Sequence, residues 1–190
     1  MNNNLAYQHS DRVELINGEP VMMSPSPAWN HVSISGSIYN LFFNYLRGKA
    51  CKAIPDGFDL RLSDKNHFIP DGMVVCDRDK IKPNWVEGAP DLVWEVLSPR
   101  TAKNDRWHKK NAYEAGGVPE YWIVDPAGQS VEVYLLEEGR YVLDNIYTLY
   151  TADALEAMTE EEKAAIAWEF RCHLYSDLSI RLEDIFGDLL

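Results

Sequence analysis

Alternating apolar and polar positions open the chain. Val13-Glu14-Leu15-Ile16 and Pro20-Val21-Met22-Met23 flank Asn17-Gly18, the dipeptide best suited to a two-residue hairpin turn, so a strand pair is predicted at the start. Ser24-Pro25-Ser26-Pro27 breaks the pattern. From about Ala28 to Arg47 the period changes: Val32, Ile34, Ile38, Leu41, Phe42, Tyr45 and Leu46 recur at near-helical spacing, and Gly48 supplies a stop. Short strands are predicted at Cys51–Ile54, Phe58–Leu62, Met73–Cys76, 91–97 and Tyr121–Val124. A helix from roughly Asp105 to Ala115, closed by Gly116-Gly117, lies between the last two. Val131–Leu136 and Tyr141–Leu143 read as a hairpin, and Thr159-Glu160-Glu161-Glu162 as a capping box for a helix reaching Trp168. A mixed acidic and apolar tail ends the chain. The fold class is α/β, a central mixed sheet flanked by helices, and residues 1–190 are expected to form one domain.

One strand breaks its own pattern. Leu92-Val93-Trp94-Glu95-Val96-Leu97 is apolar except for Glu95, and alternation places Asp91, Val93, Glu95 and Leu97 on one face. A carboxylate inside an apolar strand requires a partner or a metal. Asp91 sits four residues away, about 13 Å at 3.3 Å per residue, too far to share one cation. Ile54-Pro55-Asp56-Gly57 and Ile69-Pro70-Asp71-Gly72 nearly repeat each other. Asp71 is the better partner because it precedes the apolar run Met73-Val74-Val75-Cys76, which can pair with the Glu95 strand. Asp56 precedes a half-exposed run, and an ordinary turn is the plain reading of either Pro-Asp-Gly.

Charge sharpens this picture. The net charge is −12, which argues against general affinity for nucleic acid, yet residues 100–110 hold five of the 18 Lys and Arg against Asp105 alone. Arg106, Lys103 and Lys110 are therefore the candidate contacts for a polyanion, with a solvated helix face as the simpler alternative. Composition (46% hydrophobic, 12% aromatic) fits a globular chain, and no apolar run reaches the length of a membrane span. No secretory signal is visible at the N-terminus. Cys51, Cys76 and Cys172 are odd in number and widely spaced, which predicts free thiols and a cytoplasmic setting. His9, His67, His108 and His173 show no metal-ligand spacing.

Asp71, Glu95 at the centre of its strand, the Lys-bearing helix and Glu120-Tyr121-Trp122-Ile123-Val124-Asp125 together resemble the Uma-type restriction endonuclease family of the PD-(D/E)xK nuclease superfamily. The similarity extends to Glu14-Leu15-Ile16-Asn17-Gly18-Glu19, to His31 and to 177–186. The resemblance implies a restriction-endonuclease-like core in which Asp71 and Glu95 hold Mg²⁺ (or Mn²⁺), an ion suited to hard oxygen ligands and water. It also implies DNA as substrate more than RNA, and a symmetric homodimer. The superfamily places a lysine two residues after the acid; here that position is Leu97. The family moves the lysine onto the following helix, and the matching residue is Lys109, with Lys110 as the fallback. Asp105, Lys109 and Tyr113 share one helix face at i, i+4 and i+8, although the first two could equally form a surface ion pair. Glu14 matches a family position and is either a metal or water ligand or an exposed strand residue. His31 is either a site residue or a cap. Two rivals stand beside this expectation: a nuclease fold kept as a non-catalytic interaction module, and a metal-dependent hydrolase of a small phosphoester.

Overall fold

A computed structural model of the chain describes residues 13–22 and 26–190. Met23, Ser24, Pro25 and His9 lie outside the described residues. The opening hairpin forms as expected: β1 (Val13–Ile16) and β2 (Glu19–Met22) pair antiparallel, with Ile16 opposite Glu19. Asn17 and Gly18 both take positive φ, as a turn matched to strand twist requires. Helix α1 (Trp29–Tyr45) follows. Next come β3 (Lys52–Pro55), β4 (Asp59–Ser63), β5 (Asn66–Phe68), β6 (Gly72–Val75), β7 (Trp85–Glu87) and β8 (Leu92–Val96). A π-helical stretch, Asn104–Lys109, runs directly into α2 (Lys110–Gly116). The hairpin β10 (Ser130–Glu137) and β11 (Arg140–Thr148) follows β9 (Glu120–Asp125). Short elements close the chain: α3 (Ala152–Glu156), α4 (Glu160–Ala164), β12 (Glu169–Arg171), β13 (Ser179–Arg181) and α5 (Leu182–Phe186).

Six strands form a mixed sheet in the order β11-β10-β9-β8-β6-β3. Only β8 and β9 run parallel, so the π-helical stretch and α2 are the crossover that joins them. The two faces of β8 diverge as alternation predicts. Leu92, Trp94 and Val96 pack with Ile34, Ile38 and Phe42 of α1 and with Ile185 and Phe186 of α5. Val93 and Leu97 face Tyr113 of α2 and a second sheet, β2-β1-β5-β4-β7, through Ile16, Leu60, Phe68 and Val86. Leu97 is a core residue, 8% exposed.

Several expectations change. The helix expected to reach Trp168 ends at Ala164, although its capping box at Thr159 and Glu162 is complete. The tail forms α5 and a hairpin. Glu120 is 1% exposed and accepts hydrogen bonds from Trp122 Nε1 (2.8 Å) and the N–H groups of His173 (3.3 Å) and Leu174 (3.0 Å). Cys51 and Cys76, expected as free thiols, are joined by a disulfide. Antiparallel pairing of β3 with β6 sets Lys52 opposite Val75, and so brings the flanking cysteines face to face, a meeting that a 25-residue separation does not advertise. Among the described residues, no helix is long and apolar enough to cross a membrane.

Candidate active site

The side chains of the cluster are gathered from several elements. Glu14 comes from β1, His31 from the first turn of α1, Asp71 from the residue before β6, and Glu95 from the middle of β8. Asp105 and Lys109 come from the π-helical stretch and Tyr113 from α2. Ser98 and Thr101 start that crossover, with Ser98 Oγ accepting from the Thr101 N–H at 3.2 Å. The helix then widens to i→i+5 closure, a geometry concentrated at functional sites. Both of its inward residues are nearly sealed from solvent: Asp105 is 2% exposed and Lys109 5%. The Asp105–Lys109 pair, which the sequence allowed as a surface contact, is therefore buried.

Lys109 Nζ lies 3.0 Å from Glu95 Oε1, 2.9 Å from Glu14 Oε1 and 3.7 Å from Asp105 Oδ1. Tyr113 donates its hydroxyl to the same Glu95 Oε1 at 2.7 Å, and the Ile69 N–H donates to Glu14 Oε1 at 2.9 Å. Asp71 Oδ2 accepts from the Val96 N–H at 2.6 Å and stands 3.3 Å from His31 Nε2. The Asp71 backbone carbonyl is held by Ser35 Oγ at 2.8 Å. Asp71 is thus tied to β8 one residue past Glu95.

Electrostatics follow from burial. Desolvation pushes the Glu95 carboxyl well above the usual carboxylate range, against the pull of Lys109 and with repulsion from Asp105, Asp71 and Glu14. Burial likewise lifts Asp105 to about 6, opposed by Lys109 and a hydrogen bond from Thr101. Burial works against the Lys109 charge, but Glu95, Glu14 and Asp105 outweigh it and hold the ammonium protonated. Burial also lowers the pKa of His31, yet the hydrogen bond and charge of Asp71 prevail and raise it. Tyr113, raised by burial and by Glu95, stays a donor.

Among the described residues, three carboxylates (Glu14, Glu95, Asp105) surround the Lys109 ammonium, Asp71 stands beside His31, and Asp71 Oδ1 and Glu95 Oε2 accept no hydrogen bond. No three or more His, Cys, Asp or Glu among those residues converge into a ready-made cage. A small hard cation held by one or two carboxylates, with water and phosphate completing its shell, needs no such cage. The donor set, oxygen only and in anionic excess, fits Mg²⁺ or Mn²⁺ at Asp71 and Glu95. Glu14, expected as a further ligand, spends Oε1 on Lys109 and Ile69.

The basic residues expected to meet substrate are not gathered at this cluster. Arg106 pairs with Glu132, and with Asp125 at 3.8 Å. Lys110 lies over the Tyr134 ring, 3.7 Å from its centroid, because the next helical position points away from Lys109. Lys103 is exposed. Asp105 as a buried member of the cluster escaped sequence reasoning, since an i,i+4 acid–base pair on a basic helix looks like solvated surface; Thr101 and the i+8 Tyr113 were the available signals.

Carboxylates just before β6 and within β8, neighbouring interior strands of a mixed sheet, with a lysine supplied by the crossover helix, define a restriction-endonuclease-like α/β protein. The chain matches the Uma2 family, described as "Putative restriction endonuclease", over residues 3–167, and it belongs to that family. Among solved structures it is similar to a protein from Anabaena variabilis described as a "putative nuclease belonging to DUF820". That protein is 17% identical, with a TM-score of 0.63 over 92% of this chain and 89% of the other. At this identity the likeness carries the fold. No curated protein matches the chain.

Proposed function

We propose that the chain is a divalent-cation-dependent endonuclease that hydrolyses phosphodiester bonds, in DNA in preference to RNA. The observation that carries this reading is Lys109 Nζ, buried and 3.0 Å from Glu95 Oε1, which restores from the crossover helix the lysine that Leu97 omits. Asp71 and Glu95 would hold Mg²⁺ or Mn²⁺. Such an ion supplies charge neutralisation at phosphate and a water acidified for attack. The chain's own groups do the rest. Tyr113 fixes the Glu95 rotamer through Oε1. His31 and the Val96 N–H orient Asp71. The Lys109 ammonium steadies negative charge on the scissile phosphate and the attacking water. We further propose a homodimer, which presents two such sites to two strands. The proposed compartment is the cytoplasm, in which the Cys51–Cys76 disulfide has to withstand a reducing milieu.

Plasmid cleavage in Mg²⁺ or Mn²⁺, comparing the native chain with Glu95→Gln and Lys109→Ala, tests the reading. Loss of at least a hundredfold in rate for each variant is expected; equal rates for all three would sink it. Cleavage of a chromogenic phosphodiester by a chain inert on plasmid would instead favour a small-phosphoester hydrolase.

A further inference from the structure

The three carboxylates around Lys109 differ in standing. Glu95 is the one the cation needs. Glu14 divides Oε1 between Lys109 and the Ile69 N–H. Asp105 rides on the same helical stretch as the lysine, four residues earlier. Its backbone is fixed, with N–H donating to Thr101 O at 3.0 Å and C=O accepting from Tyr121 OH at 3.0 Å. Among the described residues its buried Oδ1 has no hydrogen-bond partner, and Lys109 Nζ, at 3.7 Å, lies just beyond hydrogen-bond reach. An unpaired oxygen is costly in a sealed site. Placed beside a lysine that another carboxylate now holds, it forms a second seat for the same ammonium.

Glu95 Oε1 already serves two donors, Lys109 and Tyr113. A cation arriving at Glu95 repels the ammonium, and the ammonium needs an anion to turn to. We infer that Asp105 is a positioning residue whose unpaired oxygen draws the Lys109 ammonium along its own helix, so that Glu95 can exchange its hold on the lysine for a divalent cation. This rests on the cation reading proposed above. Asp105 contributes through the lysine and is not itself a ligand. Without its charge, Lys109 remains with Glu14 and Glu95 and competes with the metal for Glu95.

Mn²⁺ titration of the full chain without DNA, by calorimetry at pH 7.5, separates these roles in a four-way comparison of native protein, Asp105→Asn, Lys109→Met and the double variant. Asp105→Asn is expected to bind Mn²⁺ about tenfold more weakly than native, and Asp105→Glu to recover most of that loss. In the Lys109→Met background the Asn substitution is expected to change affinity by less than about twofold. Lys109→Gln replaces the Met variant should the latter not fold. An equal loss in both backgrounds would make Asp105 a metal ligand and overturn the inference. So would Mn²⁺ uptake by the native chain that Asp105→Asn leaves unchanged, with the cation site itself intact. Absence of Mn²⁺ uptake by the native chain would overturn the cation reading and this inference together.

Discussion

Replacing Asp105 by Asn should make the protein more stable at neutral pH and barely alter it in acid. The Asp105 carboxyl is 2% exposed, and burial raises it from 3.8 to about 6 in the folded chain. A group whose folded value exceeds its unfolded value favours folding below the unfolded value, and that advantage is lost as pH rises through the folded one. The window here runs from about pH 4 to pH 6. Each pH unit between the two values is worth about 1.36 kcal/mol, so the ionised Asp105 lowers stability by about 3 kcal/mol above pH 6 relative to acid. Asn has nearly the same shape and no such titration. The difference in unfolding free energy between Asp105→Asn and native protein should therefore grow in favour of the variant by about 3 kcal/mol from pH 4 to pH 7. With a urea slope of about 3 kcal/mol per molar, the top of the range for small proteins, this appears as a midpoint difference of about 1 M. Urea unfolding followed by tryptophan fluorescence at half-unit pH steps reads it directly. A difference that stays flat from pH 4 to pH 7 would refute the account, because it would mean that Asp105 is not ionised against the burial described.

Lys109→Met removes the ammonium from three buried acids, and should cost about 3–5 kcal/mol at pH 7 by urea unfolding. Much of that loss should be regained at pH 5 as Glu95 and Asp105 take up protons; a pH-independent cost would speak against the ion cluster. Gly72→Ala would set a Cβ 1.9 Å from Trp94 Cζ2, so the ring or β6 must shift. Overpacking of that kind costs about 1–3 kcal/mol, or roughly 2–12 °C in Tm by calorimetry. An unchanged Tm would count against the close packing. His31 should titrate above 6.5 by NMR, and Asp71→Asn should bring its midpoint down. The His31–Asp71 pair stabilises the fold fully below pH 6.5 and fades as pH rises through the raised value, so a midpoint indifferent to Asp71 would remove that contact.

How much of this is legible in the sequence depends on whether a signal is local. The lone acid of Leu92–Leu97 stands out in one dimension, and alternation alone divides Val93 and Leu97 from Leu92, Trp94 and Val96. Asn17-Gly18 and the Thr159 capping box are equally local, and both form. Helical spacing puts Asp105, Lys109 and Tyr113 on one face, but it does not say that the face is inward. That fact comes from the parallel β8–β9 pairing, which folds the crossover back over the sheet. Glu14 meets Lys109 only because β1 belongs to a second sheet that covers the same layer. Cys51 and Cys76 meet through strand register, and Glu120 finds its N–H donors in a tail whose apolar residues are too few and too short-spaced to announce a hairpin. Residues paired across long separations leave no mark on periodicity.

The widened turn from Asn104 to Lys109 makes chain length itself part of the cluster around Lys109. A turn closed i→i+5 holds one residue more than an α-helical turn. Deleting any one residue from it would let ordinary helical winding return. With Gly117 and β9 fixing the downstream end, the chain upstream of a deletion between the two residues would stay aligned, but Asp105 would stand three residues before Lys109 in an ordinary helix instead of four before it in the widened turn. A point substitution at Arg106 or Trp107 would leave that alignment standing, and a one-residue insertion at the Glu138-Gly139 tip would pass through an exposed loop. Two chains that spell the same residues around Glu95 and Lys109, yet differ by one position between Asn104 and Lys109, would set Asp105 against Lys109 at different spacings.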